Sequence, residues 1–284
     1  MHILVPYDFD AQTDRALQQA VHLASRSKGR ITLLYVFENQ SILSTIFGND
    51  RKKEMFGMLA DKLEALAVNL SLKTGIDVNI RLEQGRIGHE IAAVAKETNA
   101  DLVVMGTRSS NFAGDEMLEI GANTSRVIRL APCPVISISG QAHYEGLRQI
   151  MLPFDQHAET TQKINWAIKL AKIYGSGIRL VSALPHSATA HEKKETANHM
   201  AKAEAKIRNA GISCEKTKIE PVAEDKTLVN DLLKYATSVG DIDLIIIMTQ
   251  RGPSFVDFFV DSQAQEFIRC SGIPVMTIIP GKED

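Results

Sequence analysis

Ile3-Leu4-Val5-Pro6-Tyr7-Asp8 is the stretch that decides the fold, because the chain repeats it as Ile150-Met151-Leu152-Pro153-Phe154-Asp155. Apolar residues at helical spacing follow each copy, in 17–24 and again in 164–171. Both correspondences keep the same separation of 147 positions. The sequence therefore contains a duplication that extends beyond one strand.

Later segments support the duplication along the whole chain. Asp101–Met105 corresponds to Asp243–Met248, and Pro134-Val135 corresponds to Pro274-Val275. The sequence predicts two domains of one type, residues 1–140 and 147–284, which we call the first and second repeats. A length of 284 residues allows each repeat its own hydrophobic core.

Each repeat alternates β-branched runs with amphipathic helical stretches, which predicts an α/β fold. The fold class expected is two tandem doubly wound domains, each a five-stranded, mainly parallel sheet with helices on both faces. In the first repeat the predicted strands are 2–6, 30–37, 78–83, 102–106 and 135–139, and the predicted helices are 11–28, 51–74, 87–99 and 115–130. In the second repeat the predicted strands are 148–154, 178–183, 215–221, 243–248 and 274–279, and the predicted helices are 158–174, 189–210, 225–238 and 258–270.

Composition limits the classes of function. A net charge of −2 gives no electrostatic basis for binding nucleic acid or an anionic membrane. No apolar run reaches the ~18 residues of a membrane-spanning helix, and no secretory leader is recognisable at the N-terminus. Three widely separated cysteines, Cys133, Cys214 and Cys270, do not form a disulfide framework pattern. We expect a cytoplasmic protein.

The chain resembles a tandem universal stress protein over nearly its whole length. The resemblance rests on Val5-Pro6-Tyr7-Asp8 after the first strand, Val104-Met105-Gly106-Thr107-Arg108 after the fourth, and Ala131-Pro132-Cys133-Pro134-Val135 before the last. Nucleotide-binding members of that family carry G-x2-G-x9-G-[S/T] after strand four. Such glycines let the backbone approach a phosphate, and amides at a helix N-terminus point towards it.

The resemblance implies an adenine nucleotide site, for ATP or AMP with Mg²⁺ optional, in the first repeat. Gly106 keeps the first glycine of the motif, Ser109 replaces the second, and Ala122 replaces the hydroxyl residue that follows Gly121. The binding residues that the resemblance implies are Pro6, Tyr7, Asp8, Val36, Met105, Gly106, Arg108, Ser109, Gly121, Ala122, Asn123 and Thr124. Asp8 has a second interpretation as a cap of the following helix.

The second repeat departs further from the motif, and we expect its site to be degraded. Thr249 stands at the first glycine, Gly252 keeps the second, and Asp261-Ser262 replaces Gly-Ser. A carboxylate at this place would repel phosphate. The intervening stretch 255–260 is strongly apolar, and Asp155 is interpreted as a helix cap rather than a ligand contact.

Two other segments have alternative interpretations. His191, Glu195 and His199 share one helical face that could hold zinc, but the surrounding charges favour a solvated surface, so no metal site is assigned. The apolar stretch 41–58 is either a helix packed on its own domain or a flap or partner surface.

The resulting hypothesis is a stress-response protein that acts by binding and not as an enzyme, with no catalytic residues assigned. The alternatives are a universal stress protein that binds a hydrophobic ligand or an unidentified protein partner, and a weak ATPase switch. The short linker and the apolar last strands, Val135–Ser139 and Val275–Ile279, predict an intramolecular pseudo-dimer. Further association into a homodimer is optional.

Overall fold

The computed structural model describes residues 1–38, 49–107, 121–140, 146–154, 161–220, 228–249 and 262–279. The chain divides into two compact units, and the division falls at Val135. Strands of the first repeat are β1 (His2–Pro6), β2 (Arg30–Phe37), β3 (Asp77–Gln84), β4 (Leu102–Gly106) and β5 (Val135–Ile138). Its helices are α1 (Ala11–Ser27), α2 (Asn49–Thr74), α3 (Ile87–Glu97) and α4 (Ala122–Leu130).

The second repeat has the same order of elements. Its strands are β6 (Gln149–Phe154), β7 (Gly177–Ala183), β8 (Cys214–Ile219), β9 (Ile242–Met248) and β10 (Val275–Ile278). Its helices are α5 (Thr161–Tyr174), α6 (Ala190–Asn209), α7 (Leu228–Val239) and α8 (Ser262–Cys270). The predicted α/β fold with alternating strands and helices is confirmed.

The strand order is that of a doubly wound sheet. It reads β3-β2-β1-β4-β5 in the first repeat and β8-β7-β6-β9-β10 in the second. The pairs β1–β2, β1–β4 and β2–β3 are parallel, as are their counterparts β6–β7, β6–β9 and β7–β8. Because β1 and β6 are central, the chain reverses its direction of winding beside each of them.

The central strands are buried on both faces, as their unbroken apolar sequences predict. In β1 the residues Ile3, Leu4 and Val5 are fully buried, and in β4 so are Leu102 and Val103. Helices therefore cover both sides of the sheet, which is the arrangement that parallel strands require.

The repeated aspartates Asp101 and Asp243 hold the beginnings of the central strands. Asp101 accepts a hydrogen bond from the backbone N–H of His2 at 2.8 Å. Asp243 accepts one from the N–H of Arg148 at 2.6 Å and also binds its guanidinium at 3.1 Å. The duplication of this aspartate is thus explained by the same structural task in both repeats.

Candidate functional site in the first repeat

The carboxyl ends of β1 and β4 form the edge at which the sheet reverses its winding. Ligands of open α/β sheets bind at such a point. Pro6 ends β1 and is followed by Tyr7 and Asp8, and Met105 and Gly106 end β4. The N–H of Gly121 donates to the carbonyl of Thr107 at 3.2 Å, so the beginning of α4 joins this edge.

The structure therefore brings most of the predicted nucleotide-binding residues to one edge of one sheet. Val36 lies near the end of β2, two residues beyond Leu34, which pairs with Pro6. Arg108 and Ser109 lie outside the described residues, so their predicted role is untested.

Tyr7 is fixed as a link between β1 and α1. Its N–H donates to the carbonyl of Leu34 at 2.9 Å, and its hydroxyl donates to Asp14 Oδ1 at 2.5 Å. Burial and the hydrogen bond to Asp14 raise the pKa of Tyr7 above its ordinary value. The phenol is thus neutral and hydrogen-bonded to Asp14. Only 6% of Tyr7 is exposed to solvent, so little of it can contact a ligand.

Asp8 is exposed and supports the start of α1, but Asp10 is the N-cap. The Asp10 carboxylate accepts from the N–H of Gln12 at 3.1 Å, and Thr13 Oγ1 accepts from the N–H of Asp10 at 3.2 Å. Asp8 Oδ1 accepts from Thr13 Oγ1 at 2.9 Å and from the N–H of Asp10 at 3.1 Å. The interpretation of Asp8 as the helix cap is thus wrong. Asp8 orients Asp10 and Thr13, which form the cap, and its own carboxylate is exposed.

Gly106 has a packing reason to be glycine, apart from any ligand. A Cβ at this position would lie 3.1 Å from Gln12 Cβ and 3.2 Å from the Gln12 carbonyl carbon. Such contacts are tighter than most packed carbon atoms make, so a side chain would oblige Gln12 to shift by a few tenths of an ångström. The close approach of α1 to the end of β4 therefore favours the glycine.

Thr124 is also structural in part. It is buried, and its hydroxyl lies 3.4 Å from the carbonyl oxygens of Gly106 and Thr107. This contact attaches the first turn of α4 to the end of β4. Thr124 was predicted to face a phosphate. In the structure its hydroxyl already has two acceptors within the protein.

The N-terminus of α4 has the character of an anion site. Gly121 is its N-cap and makes no side-chain capping hydrogen bond, and the first turn contains no acidic residue. Ala122 is exposed, and Asn123 is half-buried. Because Gly121 is hydrogen-bonded to Thr107, the positive end of the α4 dipole lies beside the carboxyl end of β4. The helix begins at Ala122; the earlier part of the predicted helix 115–130 lies outside the described residues.

An aromatic cluster beside this edge was missed by the sequence analysis. Its members are Tyr7, Phe9, Tyr35, Phe37 and Phe56, with successive ring centroids 5.0, 6.2, 4.8 and 3.7 Å apart. Phe9 is 38% exposed and has a positive φ of 65°, which is unusual for a bulky residue. The aromatic residues at 35 and 37 could have indicated part of the cluster, since residues two apart share a face of a strand, whereas Tyr7 and Phe9 follow β1.

The aromatic cluster connects β2 to α2. Phe37 and Phe56 stack at 3.7 Å, so the described part of 41–58 packs on its own domain, as one of the two interpretations requires. Met55 and Met58 on the same helix are exposed. Residues 39–48 lie outside the described part of the chain.

The corresponding edge of the second repeat is built differently. Phe154 replaces Tyr7 and is buried, and Lys163 Nζ donates to the carbonyl of Pro153 at 2.6 Å. Thr249 stands at the position of Gly106 and is buried. Its N–H donates to the Ile278 carbonyl at 3.1 Å, and its hydroxyl lies 3.4 Å from the same oxygen. Asp155, Gly252, the stretch 255–260 and Asp261 lie outside the described residues, so the loop itself is untested.

Other candidate groups were also located. His199 Nε2 lies 3.9 Å from Glu195 Oε2. Within the described residues, no three His, Cys, Asp or Glu side chains are grouped closely enough to hold a metal ion. All three cysteines are free thiols. None of the described helices combines the length and the hydropathy needed to cross a bilayer.

Comparison with known proteins identifies the family of both repeats. The model of the universal stress protein family matches residues 1–138 and again residues 146–278. Universal stress protein Sll1654 of Synechocystis is 33% identical over 141 residues, which is 48% of this chain and 83% of that protein. Universal stress protein YxiE of Bacillus subtilis is 27% identical over 150 residues, which is 48% of this chain and 97% of that protein.

A solved structure shows the same fold along the full length. The crystal structure of a universal stress protein from Archaeoglobus fulgidus superposes with a TM-score of 0.75 at 15% identity, covering 99% of this chain and 98% of that one. The duplicated sequence, the doubly wound repeats and the two family matches agree. The chain belongs to the universal stress protein family, with two domains of that family in tandem.

Proposed function

We propose that this protein acts in the stress response by binding an adenine nucleotide, ATP or AMP, in its first repeat. The observation that carries the proposal is the edge formed by β1, β4 and α4. There the N-terminus of α4, whose N-cap Gly121 makes no side-chain capping bond, lies at the winding reversal of one sheet with Gly106 and the exposed carboxylate of Asp8. Helix amides suit the phosphates, and a carboxylate suits the amino and hydroxyl donors of a nucleoside.

The second repeat is proposed to have lost this capacity. At its strand ends Phe154 is buried, and the polar side-chain atoms of Lys163, on α5, and of Thr249, after β9, lie against backbone carbonyls of the same repeat. If Asp261 stands at the start of α8, its carboxylate also opposes a phosphate. Nucleotide binding is therefore expected at one site per chain.

The site favours retention of a ligand over catalysis. The polar side chains described around it serve to attach helices to strands: Tyr7 binds Asp14, and Thr124 binds the end of β4. Magnesium would accompany ATP as a counter-ion of its phosphates. Phosphate release that scales with protein concentration and persists through repeated purification would instead establish the weak ATPase alternative.

The aromatic cluster favours a second candidate function, the binding of a hydrophobic ligand or a partner protein. Phe9 exposes an aromatic ring at the edge, and α2 also exposes Met55, Met58, Val68 and Leu72. Met55 and Met58 are three positions apart and so are neighbours on the helix surface, and exposed apolar patches commonly mark contact sites. This candidate does not require the anion site of α4.

One experiment separates these functions. Small molecules released by denaturing freshly purified protein are identified by mass spectrometry, and isothermal titration with ATP and AMP follows. Co-purified AMP or ATP, with one site per chain, supports the proposal. A lipid-like compound without nucleotide binding supports the second candidate and contradicts the first.

We also propose that the two repeats pair within one chain and that the protein is cytoplasmic. The short linker and the apolar last strands support an internal pseudo-dimer, and further association into a homodimer is optional. Sedimentation equilibrium distinguishes a single chain from a homodimer, which has twice the mass. Three free thiols are compatible with a cytoplasmic location.

A further inference from the structure

Lys163 is a lysine inside the second repeat, where long charged side chains are seldom found. It is the third residue of α5, and only 3% of it is exposed. Its Nζ donates to the carbonyl of Pro153 at 2.6 Å and lies 5.0 Å from the ring centroid of Phe154. The carbonyl dipole and the aromatic face both compensate for burying the charge.

The duplication assigns a counterpart to each of these residues. At the constant separation of 147 positions, Pro153 corresponds to Pro6, Phe154 to Tyr7 and Lys163 to Ala16. Pro6 and Tyr7 directly precede Asp8, whose carboxylate marks the nucleoside end of the proposed site. In the first repeat the position of the lysine is thus held by Ala16, which is fully buried and has no side chain beyond Cβ.

We infer that Lys163 occupies the base end of the second repeat from within the protein and so determines which repeat binds a nucleotide. The inference rests on the proposed function of the first repeat, and it adds a second difference between the repeats at the opposite end of the site. An ammonium group attracts phosphate, so it cannot exclude a nucleotide by charge. It excludes the base because its chain and its hydrogen bond to Pro153 fill the space beside Phe154.

Adenosine is the probe that isolates this end of the site. It lacks phosphates, so its binding does not depend on the loop after β9 or on Asp261. Equilibrium dialysis with adenosine is performed on the full chain and on Lys163→Ala, which restores the residue of the first repeat. Wild type is expected to bind one adenosine per chain, and the variant two.

Two control variants separate space from charge and from general perturbation. Lys163→Met keeps the length of the side chain without its charge and is expected to bind one adenosine per chain, like wild type. Lys169→Ala removes another lysine of α5, one that lies 4.4 Å from the ring of Trp166, and is also expected to bind one. A second adenosine bound by either control contradicts the inference.

Folding of the variants is followed in the second repeat itself. Trp166 is the only tryptophan of the chain and lies on α5, so its fluorescence reports thermal unfolding there. Where Lys163→Ala melts below the working temperature, Lys163→Ser replaces it, because a serine hydroxyl is compatible with the neighbouring Pro153 carbonyl. A folded variant that gains no adenosine overturns the inference.

The same experiment distinguishes failure of the proposed nucleotide function from failure of the inference about Lys163. Wild-type protein that binds neither adenosine nor ATP overturns the nucleotide function of the first repeat. If Lys163→Ala then binds one adenosine, the occupation of the second site by the lysine still stands. If it binds none, both proposals fall.

Discussion

Gly106 at the end of β4 and Gln12 in the first turn of α1 are so close that a Cβ on residue 106 would lie 3.1 Å from Gln12 Cβ. A glycine that a phosphate loop would require is therefore also favoured by helix packing. A substitution at this position is expected to alter the packing of α1 as well as the ligand site.

Gly106→Val is expected to destabilise the first repeat by about 1–3 kcal/mol in nucleotide-free protein, because the branched side chain must displace α1. Denaturant unfolding followed by far-ultraviolet circular dichroism measures the change. The matched control is Thr249→Val in the second repeat, which keeps the backbone bond to Ile278, loses only the long hydroxyl contact at 3.4 Å and is expected to cost about 0.5–1 kcal/mol. Equal stability of Gly106→Val and wild type would disprove the close packing.

Tyr7→Phe is expected to lower stability by about 0.5–1.5 kcal/mol, since it removes the hydroxyl that binds Asp14. A double-mutant cycle with Asp14→Ala tests the pair directly, because alanine has no atom that can accept the bond. If the bond exists, the double variant loses less than the sum of the two single changes. Full additivity would show that the two side chains are not coupled.

His2 makes the stability of the first repeat depend on pH. Its ring lies 2.8 Å from Thr32 Oγ1 and 3.1 Å from the Thr98 carbonyl, and burial is the main cause that lowers the pKa of His2 below 6.5. A neutral ring is therefore favoured in the folded state, and the unfolded state takes up protons first. The stabilisation is complete above about pH 6.5 and is lost as the pH falls through the lower pKa of the folded state.

The variant His2→Gln tests this dependence, because glutamine is the residue at the corresponding position, Gln149, of the second repeat. Denaturant unfolding between pH 5 and pH 8 is compared for the two proteins. Wild type should lose more stability than the variant on going from pH 7 to pH 5. Parallel curves would contradict the assignment.

Ala122→Asp tests the anion site at α4. Ala122 is exposed, so the change introduces a charge without a clash. Aspartate in the first turn stabilises the helix dipole by about 0.3–1 kcal/mol but repels a phosphate. ATP affinity should fall at least tenfold in Ala122→Asp and remain near wild type in Ala122→Asn, which has the same shape without the charge.

Adenosine affinity should be unchanged in both variants at position 122, because adenosine carries no phosphate. Titration calorimetry measures the four combinations. Equal loss of ATP binding in the aspartate and asparagine variants would show that shape and not charge determines the effect.

The sequence predicted the fold because its signals are local and repeated. The apolar strands 102–106 and 242–248 can only be buried, and the duplication fixes the order of elements in both repeats. The sequence alone could not assign the cap of α1 to Asp10 instead of Asp8, because both aspartates precede the same helix. That choice depends on the geometry of Thr13, which binds both.

The side chains of the candidate site were predicted less completely. Residues after the strands were found because parallel strands end at one edge, but the buried contacts of Tyr7 and Thr124 depend on tertiary packing. Lys163 resembles any surface lysine of an amphipathic helix in sequence, and only the folded chain shows its Nζ at the carbonyl of Pro153. The aromatic cluster likewise required the approach of α2 to β2.

The asymmetry of the two repeats is the central claim, and photoaffinity labelling with 8-azido-ATP tests it most directly. Labelled protein is digested, and the modified peptides and the stoichiometry are determined by mass spectrometry, with excess ATP as competitor. The account predicts one competable label per chain, in peptides from β1, β2 or the beginning of α1. Competable labelling in the second repeat at an equal yield, or no competable labelling in either repeat, would contradict it.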